Sequence, residues 1–106
     1  MLRKSRPLNF GLLREMIEVH QVLELIHWPG RKEPNGDWRG PCVIHGSHDT
    51  SSRSLDVRKE IAHCHRCGWR GDALQLWADY HKVGRLEAAY DLCERLRIDP
   101  PYLARR

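Results

Sequence analysis

The sequence predicts an α+β fold in which a small antiparallel sheet lies between an N-terminal helical segment and two C-terminal helices. Three observations carry this reading. Cys42 and His45 form a C-x2-H pair, Cys64 and Cys67 form a C-x2-C pair, and each pair is followed at once by a glycine, Gly46 and Gly68. The stretch around and between the pairs alternates apolar and polar residues and is broken by turn residues, as short strands require. On either side of it, apolar residues recur at helical spacing. Two pairs supply four N/S ligands, the tetrahedral set of a structural Zn²⁺ site, with no position left open for substrate or water. The class is therefore a zinc ribbon with helical flanks.

The elements follow in chain order. Residues 1–8 are expected to be a flexible basic lead with Arg3, Lys4 and Arg6, ending near Pro7. Residues 9–99 form one domain, and residues 100–106 form a tail. Asn9 is an N-cap candidate. A helical stripe runs through Leu12, Met16, Leu23 and Ile26, broadened by Leu13, Ile17, Val19 and Val22, as one bent helix or two short ones. Pro29-Gly30 ends it. Trp28 to Glu33 and Asp37 to Pro41 flank Pro34-Asn35-Gly36, and Asn-Gly is a strong hairpin turn.

Ser47 to Ser52 reads as a polar loop. From Arg53 the pattern alternates, with Leu55 and Val57 on one face and Ser54 and Asp56 on the other. Arg58-Lys59-Glu60 is a turn, and Ile61 to Cys64 returns as a strand. Gly71-Asp72 opens a helix, and Asp72 with Gln75 has capping-box spacing. Leu74, Trp77 and His81 share one side of that helix, beside Leu76 and Tyr80. Gly84 punctuates, and a last helix over about 85–97 carries Leu86, Ala89, Cys93 and Leu96. Cys93 stands where a small core residue belongs, as free cysteine often does.

The ligand set has its own logic. Ligands three positions apart converge on one ion only across a tight turn, which leaves the next residue at positive φ, where glycine carries no Cβ penalty. His48, His63 and His65 are further imidazoles near the site. The repeated x2 spacing and Gly46 favour His45 over His48. A redox C-x2-C would open a helix in a βαβ pattern, which is not seen here. A disulfide framework would go with a secretory leader; none is read, and thiolates on a metal point to a reducing cytoplasm. No stretch approaches the ~20 apolar residues of a membrane span.

The chain has 106 residues and a net charge of +4. Residues 28–70 hold eight Lys/Arg against five Asp/Glu, whereas residues 71–99 hold four against six. The basic surplus thus lies on the metal-bearing region, where phosphate backbones are a natural partner.

Read together, Arg39-Gly40-Pro41-Cys42-Val43-Ile44-His45, Ser54-Leu55-Asp56-Val57, His63-Cys64-His65-Arg66-Cys67-Gly68 and Gly71-Asp72 resemble the zinc-binding domain of DnaG-type bacterial and phage primases. The resemblance covers about residues 12–97. Leu55 stands where that family usually has an aromatic, and Val43-Ile44 replaces its usual Pro-Phe. The resemblance implies a ribbon that reads single-stranded template DNA and helps start primer synthesis, beside a separate catalytic domain holding Mg²⁺ on clustered carboxylates. This chain contains no D-x-D. It is expected to be no enzyme by itself, and a separate primase or helicase polypeptide would complete it.

Single strands are held by cations along the phosphates and by aromatic faces under the bases. The candidates are Trp38, Arg39, Arg53, Arg58, Lys59, Arg66, Trp69 and Arg70. One sheet face is expected to hold Leu55, Val57 and Ile61 against the helices and to leave the other for nucleic acid. Trp38 and Trp69 would equally serve as packing, and Arg66 and Arg70 as balance for the −1 charge of three thiolates on Zn²⁺. A DNA-binding ribbon is favoured over a protein-interaction ribbon acting as accessory subunit of a larger replication or recombination complex.

Overall fold

The computed structural model describes residues 7–46 and 52–103. The basic lead through Arg6, the loop that includes His48, and the last three residues lie outside the described residues. Four helices and a five-stranded sheet form, in the order α1 (Phe10–Met16), α2 (Val19–Leu25), β1 (Arg31–Lys32), β2 (Trp38–Gly40), β3 (Leu55–Val57), β4 (Ala62–Cys64), β5 (Arg70–Gly71), α3 (Ala73–His81) and α4 (Arg85–Leu96). The sheet is an antiparallel meander with its strands side by side in sequence order.

The helical segment divides in two. Asn9 caps α1 through its side chain, which accepts from the Leu12 N–H. Ile17 then turns extended, and Glu18 with Gln21 forms a reciprocal capping box that starts α2. This break resets the helical phase, so one stripe cannot continue through both pieces. Leu13, Ile17, Val19, Val22 and Leu23 are buried, whereas Leu12 and Met16, expected in the stripe, are 44% and 41% exposed.

Register assigns the faces of the sheet. Leu55 pairs with Cys64 and Val57 with Ala62, so these four side chains share the face that meets the helices, and all four are buried. Ile61 was expected with them. It precedes Ala62 and so projects to the opposite face, because neighbouring strand residues alternate. Trp28 caps the inner face at its start. Gly30 and Gly40 leave room for its ring, which an added Cβ at Gly40 would meet at 2.5 Å. The Trp28 indole N–H donates to the Pro41 carbonyl at 2.6 Å, fixing the backbone just before Cys42.

After the sheet, Asp72 caps α3 by accepting from the Gln75 N–H at 2.8 Å. The reciprocal half of the expected box is absent, because Gln75 donates to Asp79 and accepts from Arg85 instead. The Arg85 guanidinium forks onto both Asp72 oxygens at 3.1 and 2.8 Å, and Arg14 adds a contact at 3.2 Å. One carboxylate thereby ties α1, α3 and α4 together. Burial alone would raise its pKa, but the hydrogen bonds from Arg85 and Gln75 outweigh this and hold it below the usual carboxylate range.

Helix α3 ends on Lys82 and α4 on Arg97, both in the left-handed region at φ 58° and 57°. Ala73, Leu74, Leu76, Trp77, Ala88, Ala89, Leu92 and Cys93 complete the core; Leu86, expected there, is 43% exposed. Cys93 sits at 2% exposure, as its place in the stripe predicts. The segments read as lead and tail meet: Leu8 and Tyr102 form a β-bridge, and the Leu103 N–H donates to the Pro7 carbonyl at 2.9 Å.

Candidate metal centre and the sheet face beside it

Each ligand pair sits where a strand ends. β2 leads through Pro41 to Cys42, and β4 ends on Cys64 itself. Tight turns follow, and both close on a left-handed glycine, Gly46 at φ 70° and Gly68 at φ 82°. Within the turns, backbone N–H groups point at sulfur: Ile44 to Cys42 at 3.4 Å, and Arg66 and Cys67 to Cys64 at 3.4 and 3.3 Å. Such donors stabilise thiolate over thiol. Cys42 and Cys64 are buried on the inner face, and His45 and Cys67 are exposed.

The four ligand atoms lie within 4.8 Å of one another. Cys42 Sγ and Cys67 Sγ are 4.0 Å apart, and Cys64 Sγ and His45 Nδ1 are 3.6 Å apart. A tetrahedral ion bonded at about 2.3 Å to sulfur and about 2.0 Å to nitrogen would set these separations near about 3.8 and 3.5 Å. The cluster therefore has the size that zinc requires, and a composition of three sulfurs and one nitrogen that suits it. This is a site for one zinc ion, with every ligand position filled by protein. Without metal, burial pushes the Cys42 thiol up to about 11. Burial acts in the same direction on Cys64, but there the Cys67 and Arg66 N–H groups prevail and bring it down to about 6.

The face of the sheet turned away from the helices holds a different set. Arg31 pairs with Arg39, Arg39 with Asp56, Asp56 with His63, and His63 with Arg70. Cross-strand partners share a face, so one residue from each strand forms a continuous row with a single carboxylate at its centre. Arg31, Asp56 and His63 were not read as site residues from sequence. Fixing the register by the Asn35-Gly36 turn and the turn at residues 58–61 would have put them beside Arg39 and Arg70.

The eight nucleic-acid candidates separate on this geometry. Arg39 and Arg70 belong to the outer row. Arg53 is engaged, forking onto Glu33 at 2.6 and 3.0 Å. Arg58 lies 3.7 Å from both Asp37 and Asp56. Lys59 and Arg66 are exposed and make no ion pair among the described residues. Trp38 pairs with Val57 and so lies on the inner face, half-buried and stacked parallel on His20 at 5.6 Å. Trp69 leans on α3, where its indole N–H donates to Asp79 at 2.7 Å. The rings on the outer face are instead His63 and His65, with centroids 4.6 Å apart.

Comparison with known proteins bears on this site directly. A family model described as the CHC2 zinc finger, a DnaG zinc ribbon, matches residues 11–106. A DNA primase of Haemophilus influenzae is 30% identical over 71 residues, which are 67% of this chain and 12% of that protein. A DNA primase of Pasteurella multocida is 25% identical over 101 residues, 94% of this chain and 17% of that protein. A DNA primase of Lactococcus lactis subsp. lactis is 34% identical over 55 residues, 52% of this chain and 8% of that protein. The chain thus spans a small fraction of the length of the curated relatives it matches.

Proposed function

Because this chain belongs to the CHC2 zinc finger family of DnaG zinc ribbons, we propose that it is a zinc-dependent DNA-binding module for single-stranded template, acting in replication or mobile-element function. The observation that carries this reading is the outer row of Arg31, Arg39, His63 and Arg70 about Asp56. Strands short enough to splay without metal hold that row in register, and the zinc site clamps β2 against β4. The zinc is structural in this reading: a filled set of four protein ligands leaves no place for a reacting group. Nucleotidyl transfer would come from a separate catalytic primase or helicase polypeptide, in the cytoplasm. Among the described residues no helix is long and apolar enough to cross a membrane.

Arg39 and Arg70 contact phosphates in this scheme, with Lys59 and Arg66 extending the track to either side. Arg53 and Arg58 act more as braces, since their charges meet Glu33, Asp37 and Asp56. Trp38 and Trp69 serve mainly in packing, and the imidazoles of His63 and His65 offer the stacking surface. A second reading, a protein-interaction ribbon, draws on the exposed Leu12 and Met16 of α1.

Fluorescence anisotropy with a labelled single strand at several salt concentrations decides between them. Phosphate contacts make log K fall with log salt by about 0.7 per contact, and Arg39→Glu with Arg70→Glu should flatten that slope. Binding too weak to detect at low salt, by zinc-loaded protein, would reject the DNA reading in favour of a protein partner.

A further inference from the structure

The carboxylate of Asp56 is the anomaly on a cationic face. Its side chain is 16% exposed, and its contacts with Arg58 Nη2 and His65 Nε2 are both 3.7 Å, beyond hydrogen-bond length. Both of those contacts are made to Oδ2. Among the described residues no hydrogen bond reaches the carboxylate. A carboxylate is an acceptor only, and this half-buried one has acceptor capacity that no protein donor among the described residues fills.

The space beside it says what those donors could belong to. A depression on the outer face is lined by Asp56, Arg58, Ile61, His63, His65 and Arg70. Ile61 and the two imidazoles offer apolar and π surfaces to the faces of a flat ring. Arg70 stands at the edge for a phosphate. Asp56 is the group placed to meet the ring's hydrogen-bonding edge.

In a single strand the Watson–Crick edges are open to protein side chains. Guanine alone presents two adjacent donors there, N1–H and N2–H₂, which match the two oxygens of one carboxylate. Adenine and cytosine each place a ring-nitrogen acceptor beside their amino group, and thymine flanks its single donor with two carbonyls. Those acceptors would face the carboxylate oxygens and be repelled. We infer that Asp56 is a specificity-determining residue that reads a guanine in the bound single strand, accepting from N1–H and N2–H₂ while the base lies in this depression. The inference rests on the DNA-binding reading above.

The test uses zinc-loaded full chain and labelled oligothymidylates carrying one central variable base. The single-guanine strand should bind about tenfold to a hundredfold more tightly than strands with adenine, cytosine or thymine at that place. Replacing guanine by hypoxanthine removes the N2 amine alone and should lose a substantial part of that preference. In Asp56→Asn the amide offers one acceptor and one donor, a pair that every one of the four bases can meet, so the guanine preference should collapse, whereas loss of a brace for Arg58 would weaken all strands alike and leave the preference in place. Equal affinity of the natural chain for all four bases would overturn the inference and leave the DNA-binding reading standing. An unchanged guanine preference in Asp56→Asn would also overturn it. Binding to none of the strands at low salt would overturn both. If the variant does not fold, the guanine–hypoxanthine comparison on the natural chain still decides.

Discussion

Removing the charge of Asp72 should loosen three helices at once. Its side chain is 17% exposed, caps α3, takes both arms of Arg85 and touches Arg14. Asp72→Asn keeps the cap, because asparagine is as good an N-cap as aspartate, and removes only the charge. A hydrogen bond to a charged group is worth about 1.5–3 kcal/mol when well shielded. Arg85 is 36% exposed, so solvent screening reduces its forked pair to about 1–2 kcal/mol. Arg14, 55% exposed, adds a few tenths at most. Asp72→Ala also loses the cap, about 1 kcal/mol more. The expected losses are therefore about 1–2 kcal/mol for Asn and about 2–3 kcal/mol for Ala, with each kcal/mol lowering the melting temperature by about 4–8 °C in a domain of this size. Urea unfolding followed by tryptophan fluorescence in zinc-buffered solution measures both. A double-mutant cycle with Arg85→Gln should return most of the Asn loss as coupling. Additive losses, or an Asn variant within about 0.5 kcal/mol of the natural chain, the range of an ordinary surface change, would refute the claim that this carboxylate ties the helices.

Lys82 ends α3 in a left-handed conformation that costs a residue with a Cβ about 1 kcal/mol. Lys82→Gly should therefore raise the melting temperature by several degrees, and an unchanged or lower value in calorimetry would count against the cap geometry. Zinc affinity should fall as pH falls, because protons compete for the thiolates. With its thiol near 11 in the metal-free protein, Cys42 releases a proton to the solvent on binding zinc throughout the neutral range, so affinity should fall by at least about tenfold per pH unit. Below about 6 the Cys64 thiol adds a further proton and steepens the fall. Chelator competition across that range reads the slope, and a flat profile would contradict thiolate ligation.

The parts of the fold most legible in the sequence were those that one residue type enforces locally. Gly46 and Gly68 announced the two ligand turns because no other residue reaches positive φ without strain. Asn9 and Asp72 announced helix starts through side chains that reach orphan N–H groups. What stayed hidden depends on partners distant in the chain. The two-residue strand β5 exists because Arg70 and Gly71 pair with His63 and Ala62; by themselves they read as the approach to a helix. The outward turn of Leu12 and Met16 follows from the break at Ile17, which apolar spacing does not reveal. Trp38 shows the same limit. Beside Arg39 it reads equally as a base-stacking or a packing ring, and only its pairing with Val57 puts it on the inner face against His20.

Zinc K-edge X-ray absorption on the purified chain tests the central claim, that one zinc held by Cys42, His45, Cys64 and Cys67 organises this fold. The first shell should fit three sulfurs at about 2.3 Å and one nitrogen at about 2.0 Å. His45→Ala should replace the nitrogen scatterer's imidazole pattern with that of a light atom from solvent or lose the metal altogether. A first shell of two sulfurs with oxygen or further nitrogen in the natural chain, or an unchanged imidazole pattern in His45→Ala, would contradict the assignment.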